Sequence, residues 1–214
     1  MAARTDSFRL VVFDLDGVIF RHNNFYAQMH DKYGTREQTR EIEDRYLRSD
    51  THKLAELVIG KMWAGRSAEG YWDIISGSEL NPGVEETIRH LKEKGIETMI
   101  ITSAVEDIAR KAQKMLGIDH VFANWMEIED ERITGRFRWN ILWDSKGKIL
   151  ADFCRQKGIE LKDVAAVGDN ENDISMMEEV GLSIAFNSKS DELKNHCDVA
   201  IESNNLGEIL KYTD

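Results

Sequence analysis

The sequence predicts an α/β protein: a doubly wound parallel sheet with a small all-helical cap inserted after the first strand. Three observations carry this. Short apolar runs alternate with amphipathic stretches of helical period. Two of those runs end in clustered carboxylates, where ligands bind beyond the carboxyl edge of such a sheet. One long segment, residues 22–79, interrupts the alternation with helical patterning alone. The predicted division is a core of residues 1–21 and 80–214 and a cap of residues 22–79.

Residues 8–13 (FRLVVF) read as the first buried strand, and 96–102 (IETMIIT), 164–167 (VAAV), 182–186 and 199–201 read likewise. In the cap, Thr35 with Gln38 forms a capping box before a charged helix ending near Arg48; residues 51–63 and 67–75 continue as helices. Asn81 and Pro82 open the next helix as N-cap and first helical residue, and Gly95 closes it after Val84, Ile88 and Leu91 mark its inner face. A stripe from Val105 through Ile108 and Ala112 to Leu116 ends at Gly117. A third helix, with Ile149, Leu150, Phe153 and Cys154 inward, ends at Gly158. Residues 122–143 read as a hairpin turning near 129–132 and containing Trp125, Trp139 and Trp143. These tryptophans, with Trp63 and Trp72, are expected to pack the cap more often than to line a substrate entrance.

Composition excludes several classes. The 28 basic and 39 acidic side chains give a formal net charge of −11, the wrong sign for gripping a nucleic-acid backbone. No uninterrupted apolar run exceeds four residues, which excludes a membrane-spanning helix. The first residues show no apolar stretch of a secretory signal, and Cys154 and Cys197 cannot build a disulfide framework. The expectation is a cytoplasmic protein with no nucleic-acid or membrane partner and with its oligomeric state open.

The chemistry sits at strand ends. After the first strand comes Phe13-Asp14-Leu15-Asp16-Gly17-Val18, and residues two apart on a strand share a face, so Asp14 and Asp16 can converge beyond the sheet. Two neighbouring carboxylates repel unless a cation or a proton lies between them. An acidic turn bent at Gly17 is the plainer explanation. The strand at 164–167 runs into Gly168-Asp169-Asn170-Glu171-Asn172-Asp173. Helix capping accounts for one of these acids, but not for three acids and two amides in five positions. Neither segment has the glycine position of a calcium-binding EF-hand loop. Few, hard oxygen ligands from two strand ends suit Mg²⁺ that keeps some of its waters. Ser103 follows a strand at the same edge, where alone it reads as a helix N-cap. Lys146 opens a helix, against the dipole, where alone it reads as a surface lysine.

Together, Asp14-x-Asp16-Gly17-Val18, Ser103, Lys146 and Gly168-Asp169-x-x-Asn172-Asp173 resemble the four motifs of the haloacid dehalogenase superfamily, in order. Thr134-Gly135, Ser145-Lys146-Gly147 and the run from Ala166 to Phe186 are similar to its phosphoserine phosphatase branch. The resemblance implies a Rossmann-like core and a Mg²⁺-dependent phosphomonoester hydrolase. In that pattern Asp14 is the nucleophile and Asp16 the general acid and base. Mg²⁺ is held by Asp14, the backbone carbonyl of Asp16 and Asp169, with Asp173 acting through water. Ser103, Lys146, Gly17 and Asn172 lie on the phosphate side, Asn172 orienting the lysine or its loop. The branch also places a glutamate and a cap arginine on its substrate. Asn23 stands at the glutamate's position and Arg66 is the nearest arginine, so the implied substrate is a small phosphorylated metabolite rather than phosphoserine specifically. A phosphotransferase shares these motifs. A non-catalytic phosphate- or metal-binding module is the alternative outside enzymes, and the presence of Asp14, Asp16 and Lys146 argues against it.

Overall fold

Strand β1 (Leu10–Phe13) is buried along its whole length and is the central strand of the sheet. Its alternate residues feed two cores: Val11 and Phe13 pack on one face of the sheet, Leu10 and Val12 on the other. Burial on both faces explains why its sequence is apolar throughout rather than alternating. The computed structural model describes residues 8–21 and 24–213.

Six further strands join it: β2 (Glu97–Val105), β3 (His120–Glu129), β4 (Arg132–Arg138), β5 (Val164–Gly168), β6 (Leu182–Phe186) and β7 (Val199–Ile201). Their order in the sheet is β4-β3-β2-β1-β5-β6-β7, and every pair is parallel except β3 with β4. The chain therefore changes winding direction at β1, between β2 and β5, and such a switch point opens a crevice at the carboxyl edge. On the sheet faces lie α5 (Val84–Glu93), α6 (Glu106–Leu116), α7 (Lys146–Lys157), α8 (Ile174–Met177), α9 (Asp191–Asn195) and α10 (Leu210–Thr213), each numbered after the cap helices α1–α4. Among the described residues no helix is long and apolar enough to cross a membrane.

The hairpin read at 122–143 is part of this sheet. Its first arm begins earlier, at His120, and pairs with β2 before turning outward to pair with β4. Asp130 and Glu131 take the turn with φ of 47° and 56°, the left-handed pair a two-residue hairpin turn needs.

Three local expectations are corrected. The helix after Asn81-Pro82 starts at Val84, because the Asn81 side chain is used elsewhere: its Nδ2 donates to the carbonyls of Gly17 (2.8 Å) and Val18 (2.9 Å). Ser103 lies inside β2, not at a helix cap, since that strand continues through an irregularity to Val105. Thr35 makes no capping bond. Its Oγ1 instead lies 2.8 Å from His30 Nδ1 and accepts from Trp63 Nε1 at 3.2 Å.

The cap consists of α1 (Phe25–Tyr33), α2 (Arg36–Tyr46), α3 (Thr51–Leu57), a π-helical turn (Val58–Trp63) and α4 (Glu69–Gly77). It is sewn to the hairpin through the backbone. Gly65 N–H donates to Ile133 O (2.7 Å), Ile133 N–H to Arg66 O (3.0 Å) and Ala68 N–H to Glu131 O (2.8 Å). These bonds satisfy groups on a strand at the sheet's edge that would otherwise be open to another chain. Trp63 is fully buried in the cap, whereas Trp72 is partly exposed.

Candidate active site

The carboxyl ends of β1, β2 and β5 and the first residue of α7 converge. Asp14 continues the β1 ladder, its N–H donating to Val167 O at 2.9 Å, so its carboxylate is aimed just past the edge. The β5 strand then delivers Asp169 and, through a tight turn, Asp173. Asp173 Oδ2 accepts from the N–H groups of Asp169 (3.0 Å) and Asn170 (3.2 Å), which locks the turn. Carboxylate oxygens of Asp14, Asp169 and Asp173 lie within 4.8 Å of one another.

Lys146 is the surprise of the site. Read alone it is a surface lysine; in the fold it is 0% exposed. Its Nζ donates to Asp14 Oδ1 at 2.7 Å and to Asp173 Oδ1 at 2.6 Å. Burial disfavours its charge, but the two carboxylates outweigh burial and hold the ammonium protonated above its ordinary range. The same carboxylates offset the unfavourable helix dipole at the start of α7. The start of α7 is pressed onto α8 where Gly147 leaves no room for a side chain against the Ser175 carbonyl, and this close approach sets the lysine's reach.

The acids are unevenly matched with one cation. Burial pushes the Asp14 carboxyl up to about 7, with Lys146 opposing and Asp173 adding to the rise. Asp169 goes up to about 9, through burial first and then the charges of Asp14 and Asp173. Such carboxyls hold protons unless a cation takes their place. All donors are hard oxygens, which suits a divalent ion such as Mg²⁺ or Ca²⁺ over softer metals. Asp173 has both oxygens engaged, so Asp14 and Asp169 have the freer oxygens.

Gly17, with φ of 80°, sits where a Cβ would overlap the Asp169 carboxylate, so its role in shaping this cluster is to be absent of side chain. Its N–H donates to Phe20 O at 2.9 Å. Asp16 Oδ2 accepts from Phe25 N–H at 2.7 Å, tying this residue to the first turn of the cap. Asp14, Asp16, Ser103, Asp169 and Asn172 line one cavity of about 240 Å³ between sheet edge and cap. Arg66 is not among them. Its guanidinium donates to Met62 O (3.0 Å) and Tyr33 O (2.6 Å) and lies over the Tyr33 ring, binding cap to cap. Asn23 lies outside the described residues. Three further residues of the site carry no motif in the sequence: Tyr26, whose hydroxyl donates to Ser103 O at 3.1 Å, and His30 and Glu43 on the cavity wall. Only a cap sequence read helix by helix, with one polar residue facing in, would hint at the last two.

Comparison with known proteins agrees with this geometry. The haloacid dehalogenase-like hydrolase family matches residues 8–181. The chain belongs to that family. Within it the chain is a phosphatase. It is 33% identical to the phosphoserine phosphatase of Methanocaldococcus jannaschii, over 95% of this chain and 97% of that one. It is 32% identical to that of Archaeoglobus fulgidus, over 92% of this chain and 58% of the other. A solved phospho-aspartyl intermediate analogue of phosphoserine phosphatase superposes with a TM-score of 0.83 at 30% identity, over 98% of this chain and all (100%) of that one.

Proposed function

We propose that the chain is a Mg²⁺-dependent phosphomonoester hydrolase that forms an aspartyl-phosphate on Asp14 and acts on a small phosphorylated metabolite in the cytoplasm. The observation that carries this is the buried Lys146 ammonium, 2.7 Å from Asp14, which places a fixed positive charge beside the nucleophile. A carboxylate approaching an anionic phosphoryl group needs such a charge, and positioned cations are the chief means of catalysis in phosphoryl transfer.

In this reading an Asp14 carboxylate oxygen attacks phosphorus as the ester oxygen departs. Asp16, oriented by the Phe25 N–H, gives its proton to the departing alkoxide. The Asp16 carboxylate then takes a proton from the water that attacks phosphorus, and phosphate leaves as Asp14 is restored. Ser103, on the cavity wall, and Lys146, buried just behind it against Asp14, hold phosphoryl oxygens; Asn172 lines the same cavity and Gly17 abuts Asp169 at its edge. Asp14, the Asp16 backbone carbonyl and Asp169 would hold Mg²⁺, with Asp173 reaching it through water. When bound, the ion supplies the positive charge that keeps these carboxylates ionised beside the phosphoryl group. Two unpaired cysteines, Cys154 and Cys197, fit a reducing compartment.

The test is release of p-nitrophenol from p-nitrophenyl phosphate. EDTA is expected to silence the protein and added Mg²⁺ to restore it, and Asp14→Asn to be inactive in either state. Turnover by Asp14→Asn at the wild-type rate overturns the reading.

A further inference from the structure

The cavity over the phosphoryl site has walls that say what the rest of the substrate is. Its volume of about 240 Å³ exceeds the roughly 150 Å³ of a cavity that holds benzene, so a ring fits beside the reacting group. On the cap side it is walled by Leu54, Ala55, Val58 and Ile59, from α3 and the π-helical turn. Tyr26, Trp139 and Trp143 line it as well. The Tyr26 and Trp139 ring centroids are 5.3 Å apart, and Tyr26 also stacks on the buried Trp63 at 6.4 Å, so this aromatic wall is braced from behind.

Charge on the walls points the same way. Among the described residues lining the cavity there is no lysine or arginine. The charged group on the cap wall is Glu43, an acid. Its Oε1 is 3.3 Å from Nε2 of His30, and that imidazole is nearly buried and anchored at its other nitrogen by Thr35 Oγ1 at 2.8 Å. Glu43 is thus held in place. Arg48 stands just outside: its guanidinium pairs with Glu171 and lies 5.3 Å over the Trp143 ring. Lys146, beneath the floor, is already shared by two carboxylates. A substrate carboxylate entering this space would lose water, meet no lysine or arginine among the described lining residues and face Glu43, and a desolvated charge without a partner is costly.

We propose, resting on the phosphatase reading above, that the substrate is a phosphate monoester whose organic group is apolar, of ring size, and free of carboxylate. The cap selects by area and shape at the aromatic wall and rejects by charge at Glu43.

The experiment compares kcat/KM, with Mg²⁺ present, for four alkyl monoesters of similar intrinsic reactivity: phenethyl phosphate, O-phosphoethanolamine, O-phosphoserine and glycerol 3-phosphate. Phenethyl phosphate is expected to exceed O-phosphoserine by at least about tenfold, and O-phosphoethanolamine, which lacks only the carboxylate, to exceed O-phosphoserine as well. Two variants locate the selection. Trp143→Ala, at a half-exposed position, should shrink the ratio of phenethyl to glycerol phosphate by about tenfold. Glu43→Gln should raise O-phosphoserine relative to O-phosphoethanolamine without loss of fold, as Glu43 is partly exposed. O-phosphoserine preferred over both other amine and ring esters overturns the proposal, and loss of that preference in Arg48→Ala would show which cation had been overlooked. Silence on all four esters with turnover of p-nitrophenyl phosphate also overturns it, leaving the phosphatase reading intact. Silence on p-nitrophenyl phosphate too overturns both.

Discussion

Gly17 shows how tightly single residues are set at the sheet edge. A Cβ there meets the Asp169 carboxylate, and φ of 80° disfavours any L side chain. Gly17→Ala should therefore cost about 1–2 kcal/mol of stability and also swing Asp169 out of the cluster, lowering kcat/KM by at least about tenfold. Gly34→Ala is the control: its φ of 63° brings the same strain, but nothing lies within 4 Å of the added carbon. Gly34→Ala should lose only what the φ strain costs and Gly17→Ala at least as much, while the activity of Gly34→Ala stays near wild type; equal activity in the two would remove Gly17 from the site. At this scale the sequence was readable wherever acids crowd into a few positions, as at Asp14, Asp16, Asp169 and Asp173. Lys146 was readable only through the motif order, because its burial depends on Asp14, 132 residues away in the chain. Tyr26, His30 and Glu43 carry no local signature, since ordinary cap helices contain such residues anyway.

Elements were legible where period and punctuation agree. The parallel strands and the helices ending at Gly117 and Gly158 follow the sequence pattern, with both glycines left-handed at φ of 69° and 65°. Errors arose where a polar side chain was claimed by tertiary structure rather than by its own helix. Asn81 holds the turn after β1, and Thr35 joins Trp63 to His30. Arg66 belongs with them: its two hydrogen bonds and its ring contact fasten α1 to the π-helical turn. Arg66→Ala should lower stability by about 1–3 kcal/mol in chemical denaturation. The ratio of kcat/KM for O-phosphoserine to O-phosphoethanolamine should not move. Full stability with a change in that ratio would put Arg66 on the substrate instead of in the frame of the cap.

The whole molecule brings acids from two strands around one lysine, and its stability should record that. In the unfolded chain aspartates titrate near the ordinary 3.8, whereas in the fold without a cation Asp14 rises to about 7 and Asp169 to about 9. The folded state then binds more protons than the unfolded one, so these two groups make stability fall as pH rises from the unfolded value through 7 and 9. A divalent ion takes the protons' place, so binding releases them and strengthens with pH. The increase in Tm on adding Mg²⁺ should therefore be larger at about pH 9 than at about pH 6, and an increase that shrinks with pH would contradict the carboxylate site. The central claim, that Asp14 carries the phosphoryl group, is tested most directly by trapping it. Acid quenching during turnover of p-nitrophenyl phosphate, followed by borohydride reduction and peptide mass spectrometry, should find Asp14 converted to homoserine, as an acyl phosphate is. Conversion at another residue, or none at position 14 while turnover continues, would contradict the account.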